Sequence, residues 1–285
     1  STMISMPPSR PVLRYHGGKW LLADWIIQYF PKHRIYVEPY GGAASVLMNK
    51  PRSYAEIYND LDGEIVNVFR VLRDPSAASR LEDLIRLTPF ARSEFQDSYA
   101  PSEDTIEQAR RTIVRSFMGF GSAAASGFNT GFRSNSNRSG TTPARDWVNL
   151  SDCIKEWTDR LQGVVIENKD ALKLMPQHDS PLTLFFVDPP YVLSTRHLGN
   201  PYCGKGYRFE MTDEQHEQLA EGLHSLQGIV ILIGHPSELY AELYRTWSHR
   251  SLLVPASARM VPRTERLWFN DAAVGRLSQG VLTWE

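Results

Sequence analysis

The sequence predicts an α/β fold, a parallel sheet flanked by helices and interrupted by a mainly helical insertion. Three observations predict it. In the first 74 residues, short β-branched and aromatic runs alternate with segments of helical apolar spacing. The same alternation resumes after about residue 150. Between the two it stops, and helical stretches lead into a polar segment without a period. The implied boundaries are 1–74 and 151–285 for the two parts of one α/β domain, and 75–150 for the insertion.

Element by element, Trp20–Phe30 (WLLADWIIQYF) has helical apolar spacing. RIYVEP reads as a strand, Gly41 and Gly42 follow it, and AASVLMNK opens a helix. SYAEIYND is a second strand ending at Asp60, and GEIVNVFRVLRD is a helix. In the insertion, ASRLEDLIRL and TIEQARRTIVRSFM are helical, whereas Gly119 to Trp147 is a Gly-, Ser-, Asn- and Arg-rich stretch. VVIEN, TLFFVD and GIVILIG are the next strands. TDEQHEQLAEGLHSL is a helix between the last two, with Thr212 and Gln215 as a capping box. ELYAELYRTW is a further helix, and SLLVP and RLWF are short strands.

The chain has 285 residues, 42% of them hydrophobic, which is ample for a sizeable core. Charge is balanced, 31 Lys+Arg against 32 Asp+Glu. Between Arg110 and Asn149, however, six arginines face one acid, Asp146. That local excess reads either as a solvated loop or as a surface for phosphates and bases. The two cysteines, Cys153 and Cys203, have no paired spacing or histidine cluster, so reduced intracellular thiols are expected and no metal site. No window reaches the roughly 18 apolar residues of a membrane span, and the N-terminus lacks the apolar core of a secretion signal.

The stretch with the most specific chemistry is TLFFVDPPYV, Thr183 to Val192. In open α/β sheets ligands gather at the carboxyl ends of strands, and Asp188 stands at such an end. Pro189 and Pro190 fix φ and donate no N–H, and the residue before a proline is pushed out of the helical region. The corner is therefore extended and stiff. It presents two acceptors, the Asp188 carboxylate and a proline carbonyl, with the flat ring of Tyr191 beside them. Two acceptors and a flat face suit a planar ring bearing an NH2 group. An adenine amine has its lone pair delocalised into the ring. Accepting both N–H bonds out of the ring plane favours a tetrahedral nitrogen and frees that pair for attack. A plain strand-to-loop turn with a solvated aspartate is the alternative.

The chain resembles the Dam-type, alpha-group DNA adenine-N6 methyltransferases, most of all their phage and prophage members. YHGGK (Tyr15–Lys19) is similar to the family's N-terminal Gly-Gly-Lys motif, and VEPYGGAASV (Val37–Val46) to its Glu-Pro-Phe-x-Gly-x-Gly-Ser loop. YNDLD (Tyr58–Asp62) resembles the acidic second motif, NKDAL (Asn168–Leu172) the third and VDPPYV the catalytic fourth. SFMGFGS and TERLWFN also look like family segments. One departure stands out: Ala44 takes the place of the second loop glycine, and alanine fits there if φ is negative.

The resemblance implies a Rossmann-like S-adenosylmethionine-dependent methyltransferase fold whose insertion is a target-recognition domain. It implies methyl transfer to adenine N6 of a base flipped out of double-stranded DNA. Asp188, Pro189, Pro190 and Tyr191 would be catalytic. Tyr15, Lys19, Glu38, Pro39, Tyr40, Gly41, Gly42, Asp60, Asp170 and Asp188 would meet the cofactor. Read from the residues alone, a strand, two glycines and a helix make a loop whose N–H groups can approach a ligand. Asp60, at the next strand end and 22 residues after Glu38, suits ribose hydroxyls. Glu38 could serve the cofactor or organise the loop. Arg133, Asn135, Asn137 and Arg138 carry the side chains that pair with guanine and adenine, and Arg196 is the next candidate for DNA contact. The expected setting is the cytoplasm and nucleoid of a bacterial or phage-infected cell. A cognate restriction endonuclease is one further partner the resemblance allows, and the oligomeric state stays open. Related folds act on RNA or on protein glutamine, and a DNA-binding relative without catalysis is a third reading.

Overall fold

The computed structural model describes residues 6–14, 18–119, 130–134, 141–192, 210–255 and 261–278. Tyr15, Asn135, Asn137, Arg138, Arg196 and Cys203 lie outside the described residues. In chain order the elements begin with α1 (Ala23–Ile27), β1 (Ile35–Glu38), α2 (Ser45–Asn49), β2 (Ala55–Asn59) and α3 (Gly63–Arg73). The helices α4 (Pro75–Leu87), α5 (Arg92–Asp97), α6 (Thr105–Met118), α7 (Pro143–Leu150) and α8 (Ile154–Leu161) follow. Then come β3 (Val164–Glu167), α9 (Ala171–Gln177), β4 (Thr183–Val187), α10 (Asp213–His224) and β5 (Ile229–Gly234). The chain closes with α11 (Glu238–Leu243), β6 (Ser248–Val254), β7 (Arg263–Phe269) and α12 (Asp271–Ser278).

The seven strands form one sheet in the order β3-β2-β1-β4-β5-β7-β6. The first five strands in sequence run parallel. β7 is antiparallel to β5, and β6 is antiparallel to β7. The expected parallel sheet thus carries an antiparallel edge. SLLVP and RLWF are the visible parts of longer strands of seven residues each. β6 reads as short because its first four residues, Ser248 to Ser251, are all exposed and polar.

The central strands are buried on both faces, which is why they read as continuous apolar runs. Tyr36, Tyr58, Leu184, Phe186, Ile231 and Phe269 belong to one core cluster. Val37, Ile57, Phe185, Val187, Leu232 and Trp268 belong to the other, with α9, α10 and α11. The first cluster also takes Val66 and Phe69 of α3, Leu81 and Ile85 of α4, Ile113 and Val114 of α6, and Trp157 of α8. The helices of the 75–118 stretch therefore share a core with the sheet.

Caps set the helix starts. Asp62, Asp74, Asp104 and Asp170 accept N–H groups at the first turns of α3, α4, α6 and α9. The Thr212–Gln215 capping box is present at α10. The chain leaves β1 to one side through β2 and β3, then returns to place β4 on the other side of β1. A ligand crevice belongs at that reversal, beyond the carboxyl ends of β1 and β4.

Candidate active site

Residues past the ends of β1, β2 and β4 enclose a cleft with about 830 Å³ of free space, open solvent included. Its lining includes Lys19, Glu38, Tyr40, Gly41, Gly42, Asp60, Asp188 and Pro190. Eight of the expected site residues thus meet in one place.

Glu38 ends β1 and is buried. It accepts hydrogen bonds from the Tyr36 hydroxyl at 2.9 Å and from the Leu47 N–H at 3.1 Å. Burial, with the nearby Asp188 charge, outweighs those bonds and lifts its carboxyl to about 8. Since Leu47 belongs to α2, Glu38 ties the strand end to the helix that follows, the loop-organising role left open above. It also lines the cleft.

The loop between them is held from β2. A side chain on Gly41 would lie 2.1 Å from the Tyr58 ring, so only glycine lets that ring pack. Gly42 has φ 49°, and its N–H donates to Asp60 Oδ2 at 2.9 Å. Asp60 also accepts the Asp62 N–H at 2.9 Å, while burial raises its carboxyl to about 6. Ala44 sits at φ 58°, ψ 31°. The condition under which alanine fits, a negative φ, is not met. The loop keeps the backbone a glycine would favour and carries the left-handed cost on an alanine, about 1 kcal/mol.

Asn59 staples neighbouring loops. Its amide donates to the carbonyls of Pro39 and Lys169, both at 2.9 Å, and its carbonyl accepts the Lys169 N–H at 2.8 Å. That fixes Pro39 through its backbone. Asp170 is exposed and caps α9, accepting the Leu172 N–H at 2.9 Å. It stands outside the cleft lining, beside Tyr40. The Tyr40 hydroxyl is raised first by burial and then by the charges of Asp170 and Asp60.

At the end of β4, Asp188 lies 18% exposed, with the Lys19 ammonium 3.4 Å from Oδ1. Burial lifts its carboxyl to about 6, against the pull of Lys19. Lys19 is 3% exposed and its ammonium lies 4.6 Å from the centre of the Tyr191 ring. The corner is therefore built around a buried cation as well as a carboxylate. The Tyr191 hydroxyl donates to Glu265 at 3.2 and 3.3 Å. The His235 ring centre is 4.1 Å from that of Tyr191. Neither Glu265 nor His235 was singled out from the sequence, nor were Phe186 and Met211 of the cleft wall. His235 had a usable signal, its place directly after the β5 strand. Glu265 had only its position in TERLWFN.

The described part of the insertion places its arginines differently from the count of charges. Arg110 pairs with Glu107 at 2.6 Å and Glu94 at 3.2 Å. Arg111 pairs with Glu107 at 2.9 Å, and Arg115 with Glu64 at 2.8 Å. All three acids lie outside the Arg110–Asn149 window. Arg133 stacks its guanidinium 4.7 Å over Phe117. Its backbone N–H donates to the Met118 carbonyl at 2.7 Å, beside a bridge between Gly119 and Phe132.

The family model described as D12 class N6 adenine-specific DNA methyltransferase matches residues 15–259. A DNA adenine methylase of Haemophilus influenzae is 24% identical over 264 residues, 89% of this chain and 89% of that protein. One of Vibrio cholerae is 24% identical, covering 84% of this chain and 86% of its own length. One of Serratia marcescens is 30% identical over 98 residues, where the match spans only 33% of that protein. The mixed seven-stranded sheet with its flanking helices agrees with that match, and the chain belongs to the D12 class N6 adenine-specific DNA methyltransferase family.

Proposed function

We propose that the protein transfers a methyl group from S-adenosylmethionine to N6 of an adenine flipped out of double-stranded DNA. The observation that carries this reading is Asp188, at the switch-point cleft and next to a proline-stiffened tyrosine. The donor chemistry fits the cofactor. Glu38, Asp60, Asp188 and Glu210 bring four carboxyl groups to the cleft against the one ammonium of Lys19, which suits a ligand carrying a sulfonium and an amino group. Bound there, S-adenosylmethionine supplies a methyl group on a good leaving group. Asp60 would hold its polar groups, and the Gly41–Gly42 loop, whose N–H groups donate to Asn59 and Asp60, would form the wall beside it, with Tyr40 and Lys19 along its side; Tyr15 and Asp170 would complete the enclosure.

Asp188 accepts one N–H of the adenine amine and the Pro189 carbonyl the other. That holds the nitrogen tetrahedral and its lone pair outward. Tyr191 stacks on the base, and Pro190 keeps the corner from folding back. Asp188 does not have to be a strong base. The nitrogen becomes acidic as its new bond forms, and a carboxylate lifted to about 6 is a competent acceptor of the proton it sheds. Positioning supplies much of the rate. In this reading residues 75–150 act as a target-recognition domain. Arg133, Asn135, Asn137, Arg138 and Arg196 would be DNA contacts, with Arg133 leaving Phe117 to reach a base edge.

The test is tritium transfer from labelled cofactor to duplex DNA, RNA and protein, followed by sequencing that detects modified adenine. Label in duplex DNA at adenine N6 is the expected result. Label only in RNA or in protein glutamine would replace the substrate, and binding of DNA without consumption of the cofactor would replace the activity.

A further inference from the structure

Tyr191 is fixed from outside its own corner. Its hydroxyl donates to both oxygens of Glu265, at 3.3 Å and 3.2 Å. Glu265 lies inside β7, on the antiparallel part of the sheet, and is 1% exposed. Its Oε1 also accepts from Arg263 Nε at 3.0 Å. A carboxylate taken so fully out of water is costly unless donors meet it, and Tyr191 is one of those donors. His235, just past β5, sets its ring 4.1 Å from that of Tyr191 at a 57° tilt. The Thr264 carbonyl, next to Glu265, accepts the His235 Nδ1–H at 2.9 Å. One short piece of β7 therefore orients both the ring's hydroxyl and the imidazole packed against the ring. The Tyr191 ring is pinned at two ends: its backbone by the proline corner of β4, its hydroxyl by a strand of opposite direction.

We propose that Glu265 is a positioning residue for the target base, holding the Tyr191 ring in the plane on which a flipped adenine stacks. This rests on the reading of the protein as an adenine methyltransferase. Glu265 acts through Tyr191. Its loss should change how the base is held and leave the cofactor's affinity alone. The bond it accepts is charge-assisted, so removing it should slow methyl transfer by roughly tenfold to a hundredfold.

The experiment compares Tyr191→Phe, Glu265→Gln, Glu265→Ala and the Tyr191→Phe/Glu265→Ala pair in the full-length protein. Three quantities are read: single-turnover methylation of duplex DNA, S-adenosylmethionine affinity by calorimetry, and fluorescence of 2-aminopurine at the target position. Glu265→Gln, which keeps an acceptor for the hydroxyl, should lose least. Glu265→Ala and Tyr191→Phe should lose about equally, and the pair should be no slower than either, since both remove one contact. The 2-aminopurine signal should change in parallel with cofactor affinity held. Tyr191→Phe keeps the ring and leaves Glu265 in place, so it tests the contact even where Glu265→Ala does not fold. Full activity in Tyr191→Phe, additive losses in the pair, or an equal loss of cofactor affinity would each overturn the proposal for Glu265 alone. A parent protein that leaves duplex DNA unmethylated would overturn the activity and this proposal together.

Discussion

The cleft at the strand ends and the helices between β2 and β3 treat their charged residues in opposite ways. In the cleft, Glu38 is buried and Asp60 and Asp188 are half-buried, and the two aspartates are lifted to about 6. In the helices, Arg110, Arg111 and Arg115 each meet a glutamate within 3 Å. In the first region Lys19 meets Asp188 at 3.4 Å and Asp60 is met by backbone N–H groups, so carboxyl groups outnumber the cation, which suits a cationic ligand. The second has spent its charge on holding helices together. The contrast teaches that a local excess of arginine in a sequence is not yet a surface for phosphate. The acids that neutralise it come from before the window, and from α3.

The largest test of that contrast is Asp188→Ala. It should abolish methylation while thermal unfolding and DNA binding stay near the parent values, because it removes one acceptor of the amine. A variant retaining more than a few per cent of the activity would take Asp188 out of that role. Next is Asp60→Ala, which frees the Gly42 N–H as well as removing a ligand acceptor. Cofactor affinity should fall about tenfold to a hundredfold, the worth of a charge-assisted hydrogen bond; unchanged calorimetric affinity would leave Asp60 with the loop alone.

The raised carboxyl groups fix the sign of a pH effect. Asp60 and Asp188 ordinarily ionise near 3.8 and do so near 6 when folded. Folding therefore takes up protons between those values, and stability falls as pH rises through that window. Glu38, lifted to about 8, extends the decline to that point. A cationic ligand favours the ionised groups, so its affinity should rise with pH, most steeply near 6. A flat affinity profile by calorimetry would mean that the ligand's charge does not face these carboxylates.

Two smaller effects sharpen the comparison. Ala44→Gly should raise stability by about 1 kcal/mol by relieving the left-handed alanine, read as a higher denaturant midpoint at constant slope. A lower midpoint would show that the methyl group's packing outweighs the strain. Arg111→Ala should cost less than about 1 kcal/mol and leave the slope of log DNA affinity against log salt unchanged. A slope shallower by about 0.9 would mean that Arg111 meets a phosphate after all.

Much of the cleft was legible because strand ends obey local rules. Asp60 and Asp188 follow directly on buried strands, and parallel order brings such ends to one edge of a sheet. The capping box at α10 and the full extent of α6 were legible for the same reason: caps and helical periods are short-range. The antiparallel edge was not legible, because strand direction depends on the route of the chain between strands, and β6 alternates too weakly to announce a partner. Asp170 follows β3, and that its side chain caps α9 was not legible from the strand pattern.

By itself the sequence determined the alternation of elements, the stiff Asp188-Pro189-Pro190 corner and the family to which they belong, since each rests on backbone limits or contiguous residues. Only the tertiary structure decided which charges are neutralised and what holds the Tyr191 ring. Glu64 and Arg115 are 51 residues apart, and Tyr191 and Glu265 are 74 apart. No period or spacing encodes such a meeting; it exists because packing a sheet brings distant strands within a hydrogen bond of one another.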